Sequence, residues 1–267
     1  MRSYVNGIGI LGPGLGSWSE CRSVLAGHGA YCETVPPDPP ASMLPPNERR
    51  RSSDCVRWAL HVAQEAIEQA ETDPKTLATV FACSGGEMGI LNQLCTTLAM
   101  TERAVSPTLF HQSVHNAAAG YWSIATRCQQ SSTALSCYDW SFGSGLLEAA
   151  AYVCTEEQTV LLVAYDLPPP IPLYAAQPLH GGYAVALVLT PHRSRRSMVQ
   201  LDLALQVRAS DTDTCMLDPA LEALRCGNPA ARALPLCTAI AKTQPTQVHL
   251  DYLEDQSIVI GVEPCRS

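Results

Sequence analysis

Apolar residues recur along this chain with two periods, and the periods mark out its elements. Val5 to Leu11 is an apolar run spaced by glycines, which predicts a buried strand. From Ser53 or Asp54 to about Glu71 the pattern changes. Val56, Ala59, Leu60, Ala63, Ala66, Ile67 and Ala70 fall three and four residues apart, as on one face of a helix with a Ser or Asp cap. Leu77–Cys83 predicts a second buried strand, and Gly85-Gly86 turns it into a helix over about Glu87–Ala99. Ala117–Arg127 reads as a helix of small residues, Ser132–Ser136 as a strand and Ser141–Cys154 as a helix. Thr159–Tyr165, Tyr183–Leu189 and Val199–Leu205 follow as strands. The stretch 209–245 is weaker, with a helix predicted at Pro219–Cys226, before closing strands at Val248–Leu253 and Ile258–Val262.

Between these elements, residues 35–53 carry six prolines and then Arg49 to Arg51, which predicts a surface loop. Residues 105–116, with Ser106-Pro107, read as another loop, and Pro168, Pro169, Pro170 and Pro172 make a third. Strands alternating with helices imply a layered α/β core. The strands are almost wholly apolar, as in a sheet covered on both faces.

Composition narrows the function. Charged residues make up 16% of the 267 residues, against roughly 25% in ordinary soluble domains, so part of the surface is expected to be covered by a partner. A net charge of -8 excludes the basic stripe of a nucleic-acid binder. No apolar run approaches the roughly 20 residues of a membrane span. No secretory signal is evident, and the chain is expected in the cytoplasm. Twelve cysteines are scattered singly without a C-x-x-C, so neither a zinc site nor a disulfide framework is expected; no metal and no cofactor is predicted.

Four stretches invite a chemical reading. Gly7-Ile-Gly9-Ile-Leu-Gly12 matches G-x-G-x-x-G, but the glycines lie inside an apolar run, so close backbone packing is the better reading than a dinucleotide site. Cys83-Ser84-Gly85-Gly86-Glu87 lacks the G-x-S-x-G pattern and reads as a tight turn. His111 and His115 are four apart but sit in a predicted loop, so their spacing has no helix to act through. Cys137 stands between a strand and a helix, where a nucleophile would sit, but no histidine partner is evident for its thiolate.

Three stretches together resemble the ketosynthases of fatty-acid and polyketide synthesis. SPTLFHQSVHNAAAGYWSIATRCQQSSTALSCYDWSFGSGLLEAAAYV (Ser106–Val153) resembles the family core, with a proline-led loop, an Asn opening a small-residue helix, a strand and then the nucleophile elbow. YVNGIGILGPGLG resembles the first strand of the family, and HGGYAVALVLTP a later Gly-rich one. The resemblance implies a thiolase-like layered α-β-α fold. Residues 1–267 are expected to form one ketosynthase-like domain, with 1–190 as the N-terminal half and 191–267 as a reduced C-terminal part.

The resemblance also shows where the chemistry breaks. Gly145 and Ala149, six and ten residues past Asp139, fit the small residues by which the family packs this helix on its sheet. That register puts Asp139 in the nucleophile position, with Cys137 as runner-up two residues early. Asp139 is expected as a carboxylate stabilised at the helix N-terminus. Nothing after residue 190 resembles the family's activating histidines. Such groups act as a unit, so losing them abolishes the chemistry.

The chain therefore resembles a non-catalytic chain-length factor, most of all the small partner subunit of bacterial aryl polyene clusters. This implies a heterodimer with a full-length ketosynthase, and an acyl carrier protein reached through that complex. The family's dimer seam maps onto His115, Asn116, Tyr121, Ser132, Thr133, Ala134 and Leu135. Leu94, Leu98, Met100 and Phe110, just before the seam, are the candidates for the acyl channel's end. An active acyl-transferring enzyme using Cys137 and a scaffold without length control are the alternatives.

Overall fold

The computed structural model describes residues 1–208 and 213–265. Among them the chain runs β1 (Arg2–Leu11), α1 (Trp18–Leu25), α2 (Pro46–Arg51), α3 (Asp54–Ala70), β2 (Ala78–Ala82), α4 (Met88–Ala99), α5 (Pro107–Gln112), α6 (Ala117–Thr126) and β3 (Ser132–Leu135). It continues through α7 (Ser141–Glu156), β4 (Val160–Asp166), β5 (Tyr183–Thr190), β6 (Val199–Val207), α8 (Pro219–Gly227), α9 (Leu234–Lys242), β7 (Thr246–Tyr252) and β8 (Gln256–Pro264). The strands form one mixed sheet in the order β3-β2-β4-β5-β1-β6-β8-β7.

The apolar strands divide their side chains between two cores, as period-two alternation requires. On β4, Leu161, Val163 and Tyr165 face α3 and α6, whereas Val160, Leu162 and Ala164 face α7. Both faces are covered, which is why the run shows no polar alternation. The second core also takes in Leu201 and Leu203 of β6, Ile258 and Ile260 of β8, and Val248 and Leu250 of β7. The sheet therefore curls. β6 pairs with β1 only over Arg2–Val5, and the last strands fold back across α7, where Gly143 lies against Ile258 and Tyr252.

The glycines of the first strand are explained by α3. A Cβ on Gly7 would collide with the Ala66 carbonyl, and one on Gly9 with that of Val62. The helix lies so close that its side chains take strand N–H groups: Ile8 donates to Gln69 Oε1 at 2.8 Å and Ile10 to Glu65 Oε2 at 3.0 Å. These glycines serve packing, as the sequence implied.

Ser53 caps α3 by accepting the Val56 N–H at 3.1 Å. Two expected loops contain short helices instead. Within 35–53, α2 starts at Pro46, and within 105–116, α5 starts at Pro107. Proline loses nothing in a first turn, where its N–H would have no partner, so proline here opens a helix instead of excluding one. Helices α1 and α9 were not predicted, although Ser17-x-x-Glu20 at the head of α1 was an available capping signal. All but two residues of α9 are buried, so it has no polar face to reveal a period.

Candidate functional site

After β3 the chain makes a sharp elbow. Cys137 donates its N–H to Ser141 Oγ at 3.0 Å, and that hydroxyl donates to the Tyr138 carbonyl at 2.7 Å. Tyr138 has φ +46°, in the left-handed region that side chains other than glycine's resist, and is 80% exposed. A 3-10 turn, Tyr138–Trp140, leads into α7. Trp140 Nε1 donates to Asp251 Oδ2 at 3.3 Å, so the elbow is pinned to β7.

Cys137 is half-buried in this elbow, and no histidine ring among the described residues bonds to it. His115 is committed elsewhere, its Nε2–H reaching the Cys83 carbonyl at 2.9 Å. His111 falls on α5 rather than in a loop, and the described residues hold no cluster suited to a metal. Asp139 is exposed within the turn, and α7 begins two residues later without a side-chain cap. Asp139 thus lies in the 3-10 turn that leads into α7 and makes no side-chain cap hydrogen bond to that helix. Gly145 does sit where α7 meets the sheet. A Cβ there would stand 2.8 Å from Ala82 Cβ and 3.0 Å from Leu162 Cδ1.

Beneath the elbow lies a polar cluster that sequence reasoning missed. Asp166, the last residue of β4, is buried and accepts the Ser84 N–H at 2.8 Å and the Ser84 Oγ–H at 2.6 Å. The Cys83 thiol also points at it, at 3.4 Å. Its other oxygen is buried without a partner. Burial raises the carboxyl to about 6, against the pull of the Ser84 hydrogen bonds. Gln177 Nε2 donates to Ser84 Oγ, and Asn228 Nδ2 to the Asp166 carbonyl. Ser136 Oγ donates to the Ser84 carbonyl at 2.9 Å, which links the cluster to the elbow. Here the turn 83–87, the proline loop and residue 228 meet. The available signal was an acidic residue ending a wholly apolar strand.

The seam residues form one flank. β3 is an edge strand, bonded to β2 alone. On α6, Asn116, Gly120 and Ile124 make an exposed stripe, and a Cβ on Gly120 would meet nothing within 4 Å. A groove of about 460 Å³ runs between His115, Asn116, Gly120 and Ser123 on one side and Ser132 and Ala134 on the other. Tyr121 points inward and is buried, its hydroxyl accepting from Gln112 Nε2 at 2.8 Å. Ser132 accepts from Thr79 Oγ1, Thr133 reaches Glu148, and Ala134 and Leu135 are partly buried. Of the four channel candidates, Leu94 is buried within the chain, whereas Leu98, Met100 and Phe110 are exposed, Phe110 by 68%. Leu91 and Val114 extend this apolar surface. No helix among the described residues is long and apolar enough to cross a membrane.

Residues 18–246 match the family model for the N-terminal domain of β-ketoacyl synthases. No curated protein sequence matches the chain significantly. Among solved structures, the ketosynthase ApeO in complex with its chain length factor ApeC, from Xenorhabdus doucetiae, contains a chain similar to this one. It superposes with a TM-score of 0.73 at 20% identity, over 97% of this chain and 99% of that one. The ishigamide ketosynthase/chain length factor gives 0.76 at 11% identity, over 100% of both chains. The AntDE:AntF complex, a type II polyketide synthase acyl-carrier protein with its ketosynthase bound to the hexaketide, gives 0.72 at 12% identity and 99% of each. At these identities the likeness is one of fold: the layered, thiolase-like architecture of ketosynthases.

Proposed function

Because the chain belongs to the family of β-ketoacyl synthase N-terminal domains, we propose that it is a non-catalytic partner subunit, a chain-length factor that forms a heterodimer with a full-length ketosynthase. The observation that carries this reading is the elbow. Its outward position holds Tyr138, and the nearby thiol of Cys137 has no histidine bonded to it. A thiol acts as a nucleophile only when a base or a positive field favours its thiolate. Neither Tyr138 nor the exposed Asp139 replaces that machinery.

The open flank supports a partner. The unpaired edge of β3 and the stripe Asn116-Gly120-Ile124 border the groove, and the neighbouring helices α4 and α5, which touch one another, carry further exposed apolar residues. An unpaired edge strand is a template for another chain, and exposed apolar area of this kind marks an interface. Small residues on α6 let a second backbone come close. Leu98, Met100 and Phe110 then stand at the junction and shape the far end of the ketosynthase's acyl channel. The same reading puts the protein in the cytoplasm, in aryl polyene or related polyketide and fatty-acid-type elongation, with the acyl carrier protein docking on the complex.

The deciding experiment is co-expression with a full-length ketosynthase from the same organism, followed by size exclusion with mass determination. A stable one-to-one complex is expected, and Cys137→Ala should leave its product unchanged. A monomer or homodimer that ignores the ketosynthase would refute the partner role. Loss of all product with Cys137→Ala in an assembled complex would instead make the chain an acyl-transferring enzyme.

A further inference from the structure

Two exposed cysteines, Cys215 and Cys226, converge on one nitrogen of a buried arginine, and the partner role uses none of the three. Arg225 Nη2 lies 3.4 Å from Cys226 Sγ and 3.9 Å from Cys215 Sγ. The two thiols are thus close neighbours, although no C-x-x-C spacing joins them in the sequence. Cysteine used as a small apolar filler belongs in a core, so packing does not account for this placement.

The surroundings hold both cysteines in place. Arg225 forks onto Glu222, Nε to Oε2 at 2.8 Å and Nη2 to Oε1 at 2.6 Å. The chain is tied down on either side of Cys215. Thr214 donates its N–H to the His249 carbonyl on β7 at 2.9 Å, and Met216 donates its N–H to Glu222 Oε2 at 2.8 Å. Asp218 caps α8 by accepting the Ala220 and Leu221 N–H groups, and Cys226 stands near the other end of that helix. The two thiols differ in their neighbours. Cys226 Sγ reaches Glu222 Oε1 at 3.2 Å, whereas the Cys215 thiol is turned to the Asp213 carbonyl at 3.6 Å. Burial, and then the bond to Glu222, raises the Cys226 thiol against the pull of Arg225. Exchange is carried by the thiolate, so Cys215 is the better first attacker.

We propose that Cys215 and Cys226 form a redox modification site, which closes reversibly to a disulfide by exchange with an oxidised low-molecular-weight thiol such as glutathione disulfide. The Cys215 thiolate attacks one sulfur of the small disulfide, which gives a mixed disulfide and releases one small thiolate. The Cys226 thiolate then attacks Cys215 Sγ, which forms the Cys215–Cys226 bond and releases the second. The two protons pass to the released thiolates. Two protein thiols and one small disulfide therefore become one protein disulfide and two small thiols. The bond asks both side chains to turn from Nη2 towards each other, with their Cα atoms within about 7 Å. Arg225 keeps its fork on Glu222. Closure fastens the stretch before α8 to the far end of that helix. In a reducing compartment such a pair stays open and closes under oxidative stress, as redox-sensing cysteines do.

The test equilibrates the full chain, with its partner if that is needed for solubility, in glutathione buffers of rising oxidised fraction. Free thiols are then alkylated and the chain is cut with trypsin. Cleavage after Arg225 separates the two cysteines, so only a disulfide keeps their peptides together. The joined peptides are expected at a ratio about tenfold less oxidising than the one that modifies Cys32, Cys95 and Cys154, which are also exposed. Cys226→Ser should stop at the intermediate, with one glutathione on Cys215. Phenylarsine oxide, which clasps two neighbouring thiols, supplies the second arm: Cys215→Ser should bind one equivalent less than the wild type. Oxidation should also raise the thermal melt of the wild type and of neither variant. Free Cys215 and Cys226 in buffers that modify the other exposed cysteines, Cys215 joined to a different cysteine, or arsenical binding untouched by Cys215→Ser would each overturn the proposal.

Discussion

Neutralising Glu87 should remove most of a pH dependence that runs opposite to ordinary acid denaturation. Glu87 is raised from 4.5 to about 7 and Asp166 from 3.8 to about 6, in both cases chiefly by burial. A raised acid holds its proton more tightly folded than unfolded. Its contribution is therefore fully present below the unfolded value and is lost as pH rises through the folded one. Each unit is equivalent to about 1.4 kcal/mol. Integrating between pH 5.5 and 8 gives a loss of about 2 kcal/mol for Glu87 and about 1 kcal/mol for Asp166. His61, lowered by burial, opposes both across the same window, because its neutral folded form is favoured as pH rises. The wild-type slope is thus a net quantity, and the difference between wild type and Glu87→Gln isolates one group. Glutamine keeps an oxygen for Ser53, whose Oγ donates to Glu87 at 2.7 Å, and cannot ionise. Urea midpoints measured at half-unit steps from pH 5.5 to 8 should fall with pH in the wild type. They should fall less in Glu87→Gln, by about 2 kcal/mol over the range. Parallel profiles for the two proteins would refute the assignment of a buried, proton-holding carboxyl at position 87.

Three further outcomes follow from the exposed flank and the helix beneath it. Gly120→Phe should leave the chain's own melt within about 0.5 kcal/mol, since its Cβ meets nothing, yet abolish co-elution with the ketosynthase. Leu94→Ala should cost about 2–5 kcal/mol in urea unfolding because its side chain is buried, whereas Leu98→Ala should cost less than about 0.5 kcal/mol. Phe110→Trp and Met100→Trp in an assembled complex should shorten the product, read by mass spectrometry; unchanged length with intact assembly would leave the chain a scaffold.

Much of this architecture was legible because burial leaves a mark on residue type. The continuous apolar runs of β4 and β5, the three-and-four spacing of α3 with Ser53 at its head, and the small residues of α6 each announced an element. Short segments were illegible where one residue has two uses, as proline does at Pro46 and Pro107. The buried polar cluster was harder still. Asp166, Ser84 and Gln177 converge from three separate segments, with 82 residues between the first two and 93 between the last two. No local spacing can signal that convergence. The turn around Asp139 was illegible for a local reason, since a 3-10 segment precedes the helix by two residues and has no spacing of its own to announce it.

The curl of the sheet also governs the order in which the molecule can be made. The N-terminal ammonium group donates to the Leu203 carbonyl at 2.7 Å, and Arg2 pairs with Asp202. Helix α7 keeps a bare apolar face until β7 and β8 leave the ribosome. Contacts this distant in sequence close loops late and slow the search. During synthesis, roughly half of the sheet must wait with its greasy side uncovered, a state prone to aggregation and a natural client for chaperones. A fragment ending near residue 190 would be trapped in that state permanently, so the last strands act as the chain's folding lock.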